Sequence, residues 1–311
     1  MILPLAGGLY LGWSLGANDA ANVFGPMVGS GAVRFRTAAI LSSLFIIVGA
    51  ITIGARGFAT YEAIGTQTLI SSFVVMLAAG LTVTLMTFLG LPVSSTQAVV
   101  GAIIGSGLVS GGVEFSPLVK IFVSWVLTPL GGMIAAYVPY RLMMMFPNAL
   151  PQRMANRSGF LRIALILVMC YSAYSLGANN VANVTGVYVG AGLLTPLTAA
   201  LLGAASIGLG ILTFSRRVIR TVASRIVSLD PVSALVVVLA EAITLNVYAL
   251  IGVPVSASQA VVGAVLGIGL VKGMRTIDAR VLRRVLFGWI GTPTLAAVVA
   301  AAFSLIAGVL T

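Results

Sequence analysis

Histidine is absent from this chain, cysteine occurs once, and only 7% of its 311 residues are charged. Without histidine there is no imidazole zinc site and no histidine proton relay. The lone Cys170 excludes an intramolecular disulfide and a multi-cysteine metal site. No Gly-rich Walker-type lysine motif occurs, which argues against an ATP-driven pump. No serine stands beside a local base, so a membrane-embedded hydrolase lacks its nucleophile–base pair. Soluble domains carry about 25% charged residues. The deficit, together with long apolar runs, specifies an all-α integral membrane protein. The first apolar segment, Leu5–Leu15, lacks a basic leading region and a small-residue cleavage site, and reads as mature protein. The net charge is +11. Nucleic-acid binding is one reading of such a number. Basic residues flanking membrane segments are the better one, so lipid and not nucleic acid is the expected partner.

What is present is written twice. SLGANDAANVFG (Ser14–Gly25) returns as SLGANNVANVTG (Ser175–Gly186), and LPVSSTQAVVGAIIG (Leu91–Gly105) returns as VPVSASQAVVGAVLG (Val253–Gly267). Trp125 and Pro129 return as Trp289 and Pro293. Each half holds five apolar stretches: about 3–29, 37–55, 66–90, 92–109 and 118–139, then 161–190, 195–214, 231–251, 254–271 and 285–308. The expected domains are a first repeat over 1–140, a basic cytoplasmic linker over 141–160 and a second repeat over 161–311.

Loop charge alternates in opposite phase in the two halves. Arg34 and Arg36 follow the first stretch of half one, whereas the matching loop of half two has no charge. Arg216, Arg217, Arg220 and Arg225 follow the second stretch of half two, and Lys272, Arg275, Arg280, Arg283 and Arg284 follow its fourth. With these loops and the linker inside, every basic residue except Arg56 and Lys120 is cytoplasmic. That arrangement requires an odd number of crossings per half. The expected fold is therefore two inverted-topology repeats of about five net crossings each, with both termini outside. Broken helices or re-entrant helix pairs would meet at the midplane, the architecture of alternating access.

The polar tracts inside these apolar stretches carry the chemistry. Asn18 and Asn22 are four residues apart and share a helix face, with Asp19 beside them. No Lys or Arg lies at comparable depth, so Asp19 needs a bound Na⁺ or a proton. Amide and carboxylate oxygens with unwound backbone carbonyls would make a hard-cation site. Asn179, Asn180 and Asn183 occupy the matching positions, with an amide where half one has its acid. Ser94, Ser95, Thr96 and Gln97, and Ser256, Ser258 and Gln259, follow prolines Pro92 and Pro254 at two helix starts. Free N–H groups, hydroxyls and an amide without negative charge suit an oxyanion. Glu241, near Thr244 and Asn246, is an intramembrane acid without a twin. It is either a second cation ligand or a structural partner of Asn246. An anion channel fits the helix starts but has no use for a buried Asp19.

These residues resemble the PiT family of inorganic phosphate transporters. GANDAAN and GANNVAN match its doubled signature, and the two P-V-S-x-S/T-Q segments match its paired hydroxyl-rich segments, over nearly the whole chain. The resemblance implies secondary active import of phosphate, usually with Na⁺ and in some branches with H⁺. It also implies a homodimer and no resident cofactor, with sulfate as the substrate of close relatives. It carries a cation role to Asn18, Asp19, Asn22, Asn179 and Asn183, and an anion role to the two hydroxyl clusters. Asn180 departs from the family's usual acid, so either coupling uses one fewer cation there or Glu241 supplies the charge.

Overall fold

The computed structural model describes residues 2–29, 31–64, 68–89, 93–145, 158–219, 230–273 and 279–310. Within them the first half contains α1 (Ile2–Val23), α2 (Gly25–Gly29), α3 (Phe35–Thr52), a short 3-10 turn (Gly54–Gly57) and α4 (Phe58–Ile64). It continues through α5 (Leu69–Phe88), α6 (Ser95–Ser110) and α7 (Phe115–Met145). The second half contains α8 (Ser158–Gly190), α9 (Pro196–Thr213), α10 (Pro231–Leu250), α11 (Ala257–Lys272) and α12 (Ala279–Leu310). The five long stretches of each half reappear at matching positions: α1, α3, α5, α6 and α7 correspond to α8 to α12. Of the 141–160 segment, the two ends belong to α7 and α8, and residues 146–157 lie outside the described residues, as does Pro92.

Local chemistry sets the helix starts. Thr68 and Ser71 form a reciprocal capping box at α5. Thr195 caps α9 ahead of Pro196, and Asp230 caps α10 ahead of Pro231. Asp230 also meets Lys272 at the end of α11, which ties the two helices of that hairpin together. Burial works against the Asp230 carboxylate, but hydrogen bonds from Lys272 and Ser233 hold it down to about 2.

Seven helices among the described residues are long and apolar enough to cross a bilayer: α3, α5, the length of α7, Gly159–Gly190, α9, α10 and Leu286–Gly308. The 22 residues of α1 have the length but end in its polar signature. Large apolar side chains such as Leu44, Val126, Ile134, Leu167 and Ile290 point outward, as a lipid-facing surface requires. At 16 residues each, α6 and α11 span about 24 Å, short of a hydrocarbon core of roughly 30 Å. Most of their length is buried, and each forms a hairpin with the helix before it.

The halves interlock by exchange. α6 lies along α12 and α11 along α7, while α1 lies along α9 and α3 along α8. Close glycine contacts make the correspondence residue by residue. A Cβ at Gly16 would run into the Ile207 carbonyl, and one at Gly177 would run into that of Ile46. Gly49 abuts Tyr174 as Gly210 abuts Trp13, and Gly101 abuts Pro293 as Gly263 abuts Pro129. Each of these contacts has its partner under the sequence repeat, as a pseudo-two-fold relation between the halves requires. With so little side chain between them, the helix backbones approach directly, as they do in lipid where small residues supply the packing surface.

One expectation is corrected. The signatures do not unwind: Asn18–Asn22 lies inside α1 and Asn179–Asn183 inside α8 as regular helix. Intact helix keeps every backbone group bonded where no water is available, and the amide side chains face neighbouring elements instead. The breaks occur one motif later, just before α6 and α11. In purified protein, Gly177→Ala should cost about 2–3 kcal/mol by overpacking against Ile46. Gly159→Ala, with open space around it, should leave the melting temperature unchanged or slightly raised. Equal melting shifts for the two would remove the close-approach account.

Candidate functional site

The site is built around the second signature. Asn179, Asn180 and Asn183 are 2%, 1% and 0% exposed. Asn179 grips the backbone ahead of α11 with both ends of its amide: Nδ2 donates to the Val255 carbonyl at 2.7 Å, and the Val255 N–H donates to Oδ1 at 3.2 Å. This pairing satisfies two buried peptide groups that helix geometry leaves free. Asn183 reaches the start of α6, its Nδ2 donating to Thr96 Oγ1 at 3.0 Å and Ser95 Oγ at 3.4 Å. The Tyr61 hydroxyl donates to Asn183 Oδ1 at 2.5 Å. Thr96 Oγ1 closes the circuit by donating to the Val255 carbonyl at 3.1 Å. The starts of α6 and α11, one from each half, are thus joined directly to each other and to α8.

Asp19 meets this cluster across the pseudo-axis. It is 4% exposed. Asn180 Nδ2 donates to its Oδ2 at 3.2 Å. Positions 19 and 180 are equivalents in the repeat, so their contact marks the axis itself. Asn180 Oδ1 already accepts from Asn179 at 2.7 Å and from Asn183 at 3.3 Å. Its amide orientation is therefore fixed, with the NH₂ turned to Asp19. An acid at 180 would set a second carboxylate against Asp19 in low dielectric, a costly pair without additional cation charge.

The first signature is arranged differently. Asn18 donates to Thr87 Oγ1 on α5 at 2.9 Å, and both Asn18 and Asn22 are half-buried. Among the described residues, the asparagines of the second copy bond to both helix starts, whereas the bond made by Asn18 is to α5. Near-identical sequences thus occupy two states in one molecule.

At the helix starts, Ser94 Oγ accepts from the Gln97 N–H at 3.2 Å, and Ser256 Oγ accepts from the Gln259 N–H at 3.3 Å. Ser256 and Ser258 share a 2.9 Å hydroxyl bond. These caps satisfy one N–H each, and the earlier N–H groups of α6 and α11 have no intrahelical acceptor. Gln97 and Gln259 are each 2% exposed. Both leave a buried Oε1 without a hydrogen-bond partner. Such an oxygen favours a cation, whereas the same amide's NH₂ favours an anion.

Glu241 on α10 is fully buried, accepts from Ser172 Oγ at 3.2 Å through Oε2, and has no partner at Oε1. It lies within electrostatic range of Asp19. Its equivalent in half one is Ala79 and that of Ser172 is Leu11, both buried and apolar. Asn246 donates instead to the Tyr171 hydroxyl at 2.9 Å, so among the described residues Ser172 is the hydrogen-bond partner of Glu241. The ion pair found among the described residues is Lys272–Asp230. Neither Asp19 nor Glu241 has a basic partner there, and each requires a proton or a bound cation. No cluster of three or more His, Cys, Asp or Glu side chains occurs among the described residues, so a cation here would rest on one carboxylate and neutral oxygens. Sequence reasoning missed Tyr61, Thr87 and Ser172, which lie outside the repeated polar motifs, and the Val255 backbone, which lies inside one but carries an apolar side chain.

Comparison with known proteins adds a family context. Residues 15–300 match the phosphate transporter family. A protein of Methanocaldococcus jannaschii named as a phosphate permease is 28% identical over 297 residues, covering 96% of this chain and 94% of its own. A Chlamydia pneumoniae protein of the same description is 27% identical, covering 93% and 94%. A solved structure described as the sodium-dependent phosphate transporter superposes with a TM-score of 0.89 at 24% identity, over 100% of this chain and 99% of that one. Its likeness establishes the fold.

The two signature copies should respond unequally to truncation. Asn179→Ala strands the buried Val255 N–H and leaves the Val255 carbonyl to Thr96 alone, and should cost about 2–4 kcal/mol. Asn18→Ala loses one half-buried bond and should cost about 1 kcal/mol or less. Thermal unfolding of the purified variants measures both, and equal losses would contradict the asymmetry.

Proposed function

The chain belongs to the phosphate transporter family, and from that premise we propose that it imports inorganic phosphate by secondary active symport with Na⁺. It is a transporter and not a catalyst. The single observation that carries this reading is the junction of Asp19, Asn180 and the starts of α6 and α11. Cation and anion ligands there share one buried cluster. Na⁺ binds at Asp19 with the signature asparagines Asn18, Asn22, Asn179 and Asn183, while Asn180 holds Asp19 through its NH₂ and Glu241 is a second buried acid. Phosphate takes the N–H groups and hydroxyls of Ser94, Ser95, Thr96, Ser256 and Ser258. Gln97 and Gln259 turn an NH₂ to the anion and Oε1 to a cation. Adjacent Na⁺ offsets the anion's charge without a buried arginine, which leaves both ligands free to dissociate.

The transport cycle is alternating access between inverted repeats, 1–140 and 161–311, joined by the cytoplasmic 141–160 linker. Each half makes about five net crossings and both termini lie outside. Two observations support this. The contacts between halves exchange under the repeat. The Arg34–Arg36 loop also shares one cleft with Arg216, as expected if the first loop of one half and the second loop of the other lie on one side. The asymmetry of the two signatures supports a one-sided state, the opposite state being reached when the halves trade conformations. The protein works as a homodimer in this reading. H⁺ coupling is the second reading, favoured by two buried carboxyls without basic partners, and sulfate is the competing substrate.

Proteoliposomes should take up labelled phosphate when a Na⁺ gradient is imposed, and excess sulfate should leave that uptake largely intact. Asp19→Asn should abolish Na⁺ stimulation, a loss of at least about tenfold, with normal membrane insertion. Uptake driven by a pH gradient alone would replace Na⁺ with H⁺, and full competition by sulfate would overturn the substrate assignment.

A further inference from the structure

A second anion site, away from the transport cluster, follows from comparing the two copies of one turn. In half two, the turn before α9 is self-contained. Thr195 Oγ1 accepts from the Thr198 N–H, Pro196 presents no N–H, and Leu197 is apolar. In half one the same turn opens α3 with Arg34 at the cap, in extended backbone and with no side-chain cap bond. The first intrahelical bond runs from the Ala38 N–H to the Arg34 carbonyl. The N–H groups of Phe35, Arg36 and Thr37 therefore lack an intrahelical acceptor. Arg34 and Arg36 replace Thr195 and Leu197, and Arg216 from the far half stands where the repeat places Ala55.

These residues enclose a cleft of about 530 Å³, lined by Arg34, Phe35, Arg36, Thr37 and Arg216. The Arg216 guanidinium lies over the Phe35 ring at 5.7 Å from its centroid, which orients it at the cleft. Among the described residues no carboxylate pairs with any of the three arginines. Loop orientation alone asks for positive charge on one side of the membrane. It does not ask for three guanidinium groups from segments about 180 positions apart to gather at an uncapped helix start.

We propose that this cleft is a binding site for a phosphate-bearing anion, separate from the transported substrate. Three arginines and the free N–H groups of a helix start line this one cleft, the combination that recognises phosphate esters. The volume admits more than a bare phosphate ion. The ligand is a phosphate carried on a larger body: the headgroup of an anionic phospholipid, or a soluble phosphoanion on the basic side of the membrane. Neither the phosphate uptake assignment nor its coupling ion enters this inference.

The test is binding, without transport. Protein in phosphatidylcholine nanodiscs is titrated with pyrophosphate in one arm. In the other arm, protein extracted from mixed phosphatidylglycerol and phosphatidylcholine is examined for retained lipid by native mass spectrometry. The variants are Arg216→Ala and the double variant Arg34→Ala with Arg36→Ala. Arg141→Ala, an exposed arginine outside the cleft, controls for general charge. Each cleft variant should weaken the retained or titrated anion at least about tenfold, the loss of one or more charge-assisted hydrogen bonds, with Arg141→Ala unchanged. Cleft-dependent phosphatidylglycerol retention identifies a lipid, and cleft-dependent pyrophosphate binding identifies a soluble anion. Equal losses in Arg141→Ala, or no loss in either cleft variant in both arms, would overturn the site.

Discussion

A carboxylate with no basic partner among the described residues, held by one amide where the two half-molecules meet, is the constraint around which this structure is organised. Asp19 is 4% exposed and hydrogen-bonds Asn180, its own equivalent in the repeat. Burying such a charge is prohibitive unless a cation or proton arrives with it. The site is consequently incomplete without a proton or a cation, and the proposed Na⁺ would complete it. Asn180 makes this possible by spending its acceptor on Asn179 and Asn183 and its donor on Asp19. The repeat would permit an acid there, but the axis brings the two positions together, so one fixed charge serves both halves.

The rest of the fold brings short helix starts to that axis. α6 and α11 are too short to cross a bilayer and are buried on nearly every side. They pack on the final helices of the opposite halves through glycines facing Pro293 and Pro129. A movement of one half would carry the start of the other half's short helix with it. Side-chain bulk at those glycines would separate the helices, and the two starts would no longer share a ligand. Coupling of anion to cation in this account needs no long relay, because Thr96, Asn183, Asn180 and Asp19 form one chain of hydrogen bonds.

Much of this was legible in the residues. Proline and hydroxyl caps such as Thr195–Pro196 and the Asp230–Pro231 pair mark helix starts to within a residue or two, because they satisfy N–H groups that every helix leaves open. The doubled motifs indicated which residues correspond, and the loop arginines carry the proposed inverted relation of the halves. The expected break at GANDAAN was misplaced, since polar side chains were taken to require unwound backbone. Packing against Val255, Ser95 and Thr96 satisfies them with the helix intact. The unequal states of Asn18 and Asn179 have no signature at all: almost the same letters are written in both places, and conformation alone distinguishes them. Tyr61 and Ser172 were invisible for a simpler reason, because nothing local separates a ligand-fixing tyrosine or serine from packing.

The most direct test of the shared-axis claim moves the carboxylate across the axis. Asp19→Asn alone should lose Na⁺-stimulated phosphate uptake, and combining it with Asn180→Asp should restore a substantial part of that stimulation at equal membrane levels. A double variant as inactive as the single one would mean that positions 19 and 180 do not serve one cation-binding centre.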